Sequence, residues 1–182
     1  YGGFQIPLEP WYSRGFGAAW YQRGGVLVVA NIRGGGEYGP RWHQAAMKAD
    51  KQRSYDDFIA VAEDLVRRKI SSPRHLGIEG GSNGGLLVGA VMLQRPELFN
   101  AVVCQVPLLD MRRYHQLLAG ASWMAEYGDP DIAEEIHEAL DHGEVVLTQF
   151  GTNQDFGTAL AVLLGGGGGA GDGLVGQAAA FG

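Results

Sequence analysis

Apolar runs alternate with amphipathic segments over the first hundred or so residues. Val26-Leu27-Val28-Val29-Ala30 is continuously apolar and mostly β-branched. A strand apolar on both faces is expected at a central position in a parallel sheet covered by helices. Before it, Ala18 to Gly25 reads as the end of a helix stopped by glycine. After it, Phe58, Ile59, Ala62, Leu65 and Val66 recur at helical spacing and form one stripe, with Glu63, Asp64, Arg67 and Arg68 on the solvated side. Ser54-Tyr55-Asp56-Asp57 reads as the capped start of that helix, and Ile70 with Ser71-Ser72-Pro73 as its end. His75 to Glu79 is a short strand, Leu86 to Leu93 a helical run stopping near Gln94-Arg95-Pro96, and Ala101 to Val106 a third strand. Helix and strand alternating over residues 18–106 predict an α/β fold with a mostly parallel, doubly wound sheet and helices on both faces.

The turn between the second strand and its helix is Gly80-Gly81-Ser82-Asn83-Gly84-Gly85. Gly80-x-Ser82-x-Gly84 is the nucleophile-elbow pattern of α/β-hydrolases. A serine on so sharp a turn has strained backbone angles, and side chains two residues to either side collide. The helix that follows points its free N–H groups at the serine, where they favour developing negative charge. The bland alternative is a glycine-rich turn with an incidental serine. Asn31-Ile32-Arg33-Gly34-Gly35-Gly36-Glu37-Tyr38-Gly39-Pro40 follows the first strand, at the carboxyl end where open α/β sheets place their sites. Its glycines do not make a phosphate loop: the Lys-Ser/Thr pair and the G-x-G-x-x-G spacing are both missing. His43, just beyond, reads as a surface or packing histidine rather than a catalytic one.

Residues 107–128 carry Met111, Tyr114, His115, Trp123, Met124 and Tyr127. The cluster reads as core packing. For Trp123 and Tyr127, spaced i and i+4, a pocket wall is an equal reading. From Asp129 the character changes. Ile132 to Leu140 reads as an acidic helix, Glu144 to Phe150 is a candidate strand, and Gly165 to Gly173 is a low-complexity, flexible tail. His137-Glu138 does not make a zinc site, because His-Glu-x-x-His needs a histidine at position 141, and His142 lies roughly 140° around a helix from His137.

Composition narrows the function. The length suits one domain with a sizeable core. With 14 Lys+Arg against 20 Asp+Glu, the chain is acidic, which argues against a nucleic-acid surface. Cys104 is the single cysteine, so no internal disulfide forms; that suits a reducing compartment and a cytoplasmic location. It sits in an apolar run and reads as core. No signal peptide and no apolar run approaching the ~20 residues of a membrane span are visible. Neither a cofactor nor a metal is expected.

Four segments together resemble the prolyl oligopeptidase family of serine peptidases: Tyr1-Gly2-Gly3-Phe4; Ala30 to Gly39; Gly80 to Leu87; and Gln94-Arg95-Pro96-Glu97-Leu98-Phe99. The likeness continues through Asp110-Met111 and Trp123 to Tyr127-Gly128, in order and at family spacing. It implies an α/β-hydrolase-like core over residues 1–131, incomplete at both ends, and a divergent, glycine-rich segment over 132–182. It also implies a short peptide as substrate, cleaved after proline or, in the related oligopeptidase B branch, after basic residues. Ser82 is the implied nucleophile. The backbone N–H of Asn83 and the hydroxyl of Tyr38 are the implied oxyanion hole, and Trp123 and Tyr127 the implied proline-binding pocket. Donors fixed in advance at such a hole contribute about 2.7–4 kcal/mol each.

The resemblance weakens toward the C-terminus. In this fold the triad runs Ser, Asp, His. Gly151-Thr152-Asn153-Gln154-Asp155 resembles the loop of the aspartate, with Gln154 at the catalytic position and Asp155 beside it as a substitute acid. Gly168 stands where the family histidine is expected, and His142, the last histidine, precedes Asp155. The gap from Asp155 to Gly168 is also short for the helix and strand that belong there. Two readings therefore stand: a serine peptidase acting through a Ser82 acyl-enzyme, or a non-catalytic α/β core that binds peptide or nothing. An esterase or lipase of the same fold is a third, disfavoured because lipases build the oxyanion hole from backbone donors. A sheet lacking strands exposes an edge and apolar surface, so dependence on a missing domain or a partner for stability is expected.

Overall fold

The computed structural model describes residues 1–132 together with the strands at 159–163 and 177–180. The elements run in order α1 (Arg14–Ala19), β1 (Val26–Val28), α2 (Pro40–Gln44), α3 (Gln52–Arg67), β2 (Leu76–Gly81), α4 (Asn83–Gln94), β3 (Ala101–Gln105), α5 (Met124–Tyr127), β4 (Ala159–Leu163) and β5 (Gln177–Ala180). Single-turn 3₁₀ segments link several of them, among them Lys48–Lys51 ahead of α3.

The described strands form one sheet in the order β1-β5-β2-β3-β4. β2 pairs parallel with β3, Gly80 opposite Cys104, and β3 pairs parallel with β4. β5 runs antiparallel to both β1 and β2. Four strands therefore share one direction and β5 opposes them, an α/β sheet that is mostly parallel, as the alternation predicts. β1 departs from expectation. It is shorter than the apolar run, lies at one end of the described strands rather than the centre, and leaves Val26 exposed. The inner edge of β1 pairs antiparallel with β5, which separates it from β2, and no described strand covers its outer edge.

The core lies where α4 packs on β2 and β3 and α3 lies along α4. α4 is apolar around its whole circumference, and every residue from Asn83 to Met92 is buried, as expected of a helix enclosed on all sides. α3 is amphipathic and buries Tyr55, Phe58, Ala62 and Leu65. Its start corrects the sequence reading. The helix begins at Gln52, so Ser54 lies inside the first turns rather than at the cap. Ser54 is 1% exposed, and its hydroxyl faces the carbonyls of Arg33 at 2.7 Å and Gly2 at 3.1 Å. Ser54 thus serves a tertiary contact between α3, the residue 31–39 loop and the N-terminal strap, residues 1–8. Asp57 makes a second one. Its carboxylate accepts from the Arg33 guanidinium at 2.8 and 2.6 Å and from the Arg33 backbone N–H at 3.0 Å.

The candidate strand at Glu144–Phe150, the expected acidic helix beyond its first residue, Ile132, and the Gly165–Gly173 tail lie outside the described residues.

Candidate active site

Ser82 sits between the end of β2 and the first turn of α4, with φ 56° and ψ −118°. A non-glycine residue rarely takes positive φ, and such positions cluster at functional sites. Three contacts hold it there. The Ser82 N–H donates to the Gln105 carbonyl at 2.9 Å, and the Ser82 carbonyl accepts from the Leu86 N–H at 3.1 Å. Gly80 and Gly84 supply the third: a Cβ on Gly80 would run into the Gly84 carbonyl oxygen. The glycines flank the serine because the backbone closes on itself there. The Ser82 hydroxyl makes no capping bond to α4, and the residue is partly exposed.

Asn83 opens α4, so its backbone N–H is one of the donors that no helical carbonyl satisfies. Its side chain is 1% exposed and held at both ends. Nδ2 donates to the Tyr1 carbonyl at 2.7 Å, and Oδ1 accepts from the Tyr127 hydroxyl at 2.7 Å. Gly3 packs flat on this amide, where a Cβ would lie 2.6 Å from Nδ2.

Tyr38 is 69% exposed and stands edge-on to Trp42, ring centroids 4.9 Å apart. Trp42 is fixed in turn by its indole N–H, which donates to the Ile32 carbonyl at 2.8 Å. The loop carrying Tyr38 is tied to the N-terminal strap. Gln5 N–H donates to the Gly34 carbonyl at 3.3 Å, Gly36 N–H to the Ile6 carbonyl at 3.2 Å, and Leu8 N–H to Glu37 Oε1 at 3.0 Å.

Of the two aromatic residues expected to line a pocket, Tyr127 is 4% exposed. It packs edge-on against Phe4 at 5.6 Å and Tyr114 at 5.5 Å, with its hydroxyl committed to Asn83. Burial holds that phenol well above its ordinary pKa, so it stays a donor. Trp123 is partly buried and packs against the cluster of Leu86, Met111, Tyr114 and Tyr127. The structure thus joins Asn83 directly to Tyr127. Asp155, with Gln154 and Gly168, lies outside the described residues.

A buried charged group beside the elbow escaped the sequence reading. Lys51 and Glu126 are 6% and 3% exposed and paired at 3.1 Å. The other Glu126 oxygen lies 2.7 Å from His43 Nε2. Burial lowers the Lys51 pKa, and Glu126 partly opposes that shift. Glu126 is the one acid in the aromatic run Trp123–Tyr127, a faint signal in the sequence; nothing distinguishes Lys51 from its polar neighbours. Among the described residues, no cluster of three or more His, Cys, Asp or Glu is arranged to hold a metal, and no helix is long and apolar enough to cross a membrane.

The profile of the prolyl oligopeptidase family matches residues 11–146. This chain belongs to the prolyl oligopeptidase family. An uncharacterised peptidase of Sinorhizobium fredii is 62% identical over 131 residues, 72% of this chain and 18% of that protein. A prolyl endopeptidase of Elizabethkingia meningoseptica is 45% identical over 140 residues, 77% of this chain and 20% of that protein. The solved structure of a post-proline cleaving enzyme from Rickettsia typhi superposes with a TM-score of 0.82 at 40% identity, covering 90% of this chain and 28% of that one. The chain therefore spans about a fifth of the length of these two curated relatives. What it shares with the prolyl oligopeptidase family is an α/β-hydrolase core with the elbow inside it.

Proposed function

We propose that this chain carries the nucleophile and oxyanion donors of a serine peptidase that cleaves short peptides, after proline or basic residues. The observation that carries the reading is the Ser82 backbone, φ 56° and ψ −118° at the mouth of α4. In this reading Ser82 Oγ attacks the scissile carbonyl carbon and loses its proton to a base. The carbonyl oxygen becomes an oxyanion, held by the Asn83 N–H and the Tyr38 hydroxyl. Collapse of the tetrahedral species breaks the C–N bond as the base returns the proton to the departing amine, leaving the Ser82 ester; water then hydrolyses the ester to a carboxylic acid and restores the Ser82 hydroxyl. Trp123 is the better candidate for a proline ring to lie on, since the Tyr127 ring is enclosed. Asp155 is the candidate acid of the triad.

One set of observations favours the second reading, a non-catalytic core that binds peptide. The described histidines are engaged elsewhere: His43 with Glu126, His75 with the Ser72 hydroxyl at 3.2 Å, and His115 with Asp131 at 3.4 Å. Without its base a serine is a poor nucleophile, and a site stripped of triad members keeps only ~10³–10⁴-fold catalysis over water. Labelling the chain with a fluorophosphonate serine-hydrolase probe, beside Ser82→Ala, separates the two. Labelling that disappears in the variant is the expected result; folded protein that stays unlabelled means the elbow binds or scaffolds without activating its serine.

A further inference from the structure

The N-terminal strap presents a packing problem. Gly3 must lack a side chain because the Asn83 amide lies against it, and Gly2 precedes it with none. Two glycines in a row bring no side chain to pack, so hydrogen bonds to the backbone are needed to fix their conformation. The Gly2 carbonyl receives one from Lys51 Nζ at 2.8 Å, with the Ser54 hydroxyl at 3.1 Å. Lys51 also stands 5.4 Å from the centroid of the Tyr127 ring, the residue whose hydroxyl holds the other side of Asn83.

Glu126 extends this contact in two directions. Oε1 takes Lys51 on the strap side. Oε2 takes His43, which lies on α2 next to Trp42, the ring against which Tyr38 rests. One carboxylate therefore links α2, whose Trp42 supports Tyr38 of the preceding loop, to the strap and tyrosine bearing on Asn83. An ion pair buried this deeply is a costly fastening, since desolvation offsets much of the attraction, and an apolar pair is often equally stable. What an apolar pair cannot supply is a directed donor to the Gly2 carbonyl.

We propose that Lys51 and Glu126 are positioning residues of the oxyanion site: together they clamp the Gly2–Phe4 strap and Tyr127 onto the Asn83 side chain and thereby hold the Asn83 N–H on aim. The proposal rests on the reading of Asn83 as an oxyanion donor, but its structural half stands apart from catalysis.

The test uses the 182-residue chain and three variants: Lys51→Met, Lys51→Arg, and Lys51→Met combined with Glu126→Gln. The double variant leaves no lone charge buried, so it separates loss of the clamp from the penalty of an unpaired carboxylate. Backbone hydrogen–deuterium exchange is followed at residues 2–6, at 82–86 and in α3, with the fluorophosphonate labelling rate as a second readout. The expected result in the double variant is at least tenfold faster exchange at 2–6 and 82–86 with α3 unchanged, and at least tenfold slower labelling, with Lys51→Arg nearer to the parent. Unchanged exchange at 2–6 and 82–86, or exchange that rises equally in α3, overturns the clamp. If the parent chain is unlabelled while exchange responds as expected, the clamp holds and the catalytic reading of Ser82 fails.

Discussion

Ser82 carries a backbone conformation that costs an L-residue about 1–3 kcal/mol, and its surroundings meet that cost. The Gly80–Gly84 approach and the bond to Gln105 hold the turn closed, so the hydroxyl is presented at the helix mouth without capping it. The Asn83 side chain is an anchor, bonded to the Tyr1 carbonyl and the Tyr127 hydroxyl, so in the proposed reading only its backbone N–H meets the substrate. Tyr38 is arranged in the opposite way: its ring is exposed on a loop whose backbone is hydrogen-bonded in place. Replacing it tests the assignment with minimal disturbance. Tyr38→Phe is expected to slow labelling of Ser82 by about 10²-fold, equivalent to about 2.7 kcal/mol, with no loss of thermal stability. A change below about threefold removes Tyr38 from the oxyanion site. The Gly-x-Ser-x-Gly spacing made the elbow legible, because the steric rule behind it is local. The Lys51–Glu126 pair was not legible. Its members are 75 residues apart and each has an ordinary local context.

At the scale of elements, α4 supports the site. Leu87 and Val88 lie in the core between helix and sheet, 1% and 0% exposed. Leu87→Ala removes a fully enclosed side chain from the helix that bears Asn83 and is expected to cost about 2–5 kcal/mol in chemical denaturation. Glu63→Ala, on the exposed face of α3, is expected to stay within about 0.5 kcal/mol. Equal effects from the two would contradict the packing described. The helix interiors followed from periodicity, whereas the start of α3 did not. Ser54 resembles a cap by residue type, but the carbonyls of Arg33 and Gly2 claim its hydroxyl from across the fold. A capping rule weighs only neighbours in sequence, and a tertiary partner outcompeted them.

For the molecule as a whole, one half-buried carboxylate contributes a pH dependence to stability. Glu79, on β2, accepts from Gln105 Nε2 at 3.0 Å, and burial raises its pKa above the ordinary 4.5. The folded state therefore holds this proton more tightly than the unfolded chain does. The stabilisation is complete below about pH 4.5 and is lost as pH rises through the higher folded value. Glu79→Gln keeps an acceptor for Gln105 and removes the titration. Its melting temperature is expected to exceed the parent's at about pH 7, with the two converging as pH falls toward 4.5; parallel curves across that range would exclude Glu79 as the source. Apolar side chains also reach the surface at Val106, Leu117 and Leu118, the last fully exposed.

The alternation of strands and helices over residues 18–106, the elbow and the family were all written in the sequence, because periodicity, glycine sterics and contiguous motifs act over a few residues at a time. Tertiary structure decided what those rules do not reach. It placed β5 between β1 and β2 and left an apolar run, expected at the centre of the sheet, at one end of its described strands. It committed the Tyr127 hydroxyl to Asn83 and enclosed its ring between Phe4 and Tyr114, where the sequence left core packing and a pocket wall open. It also paired Lys51 with Glu126 over the Gly2 carbonyl. Each outcome depends on which distant groups share a buried volume, where desolvation makes polar partners obligatory, and no local pattern encodes that pairing.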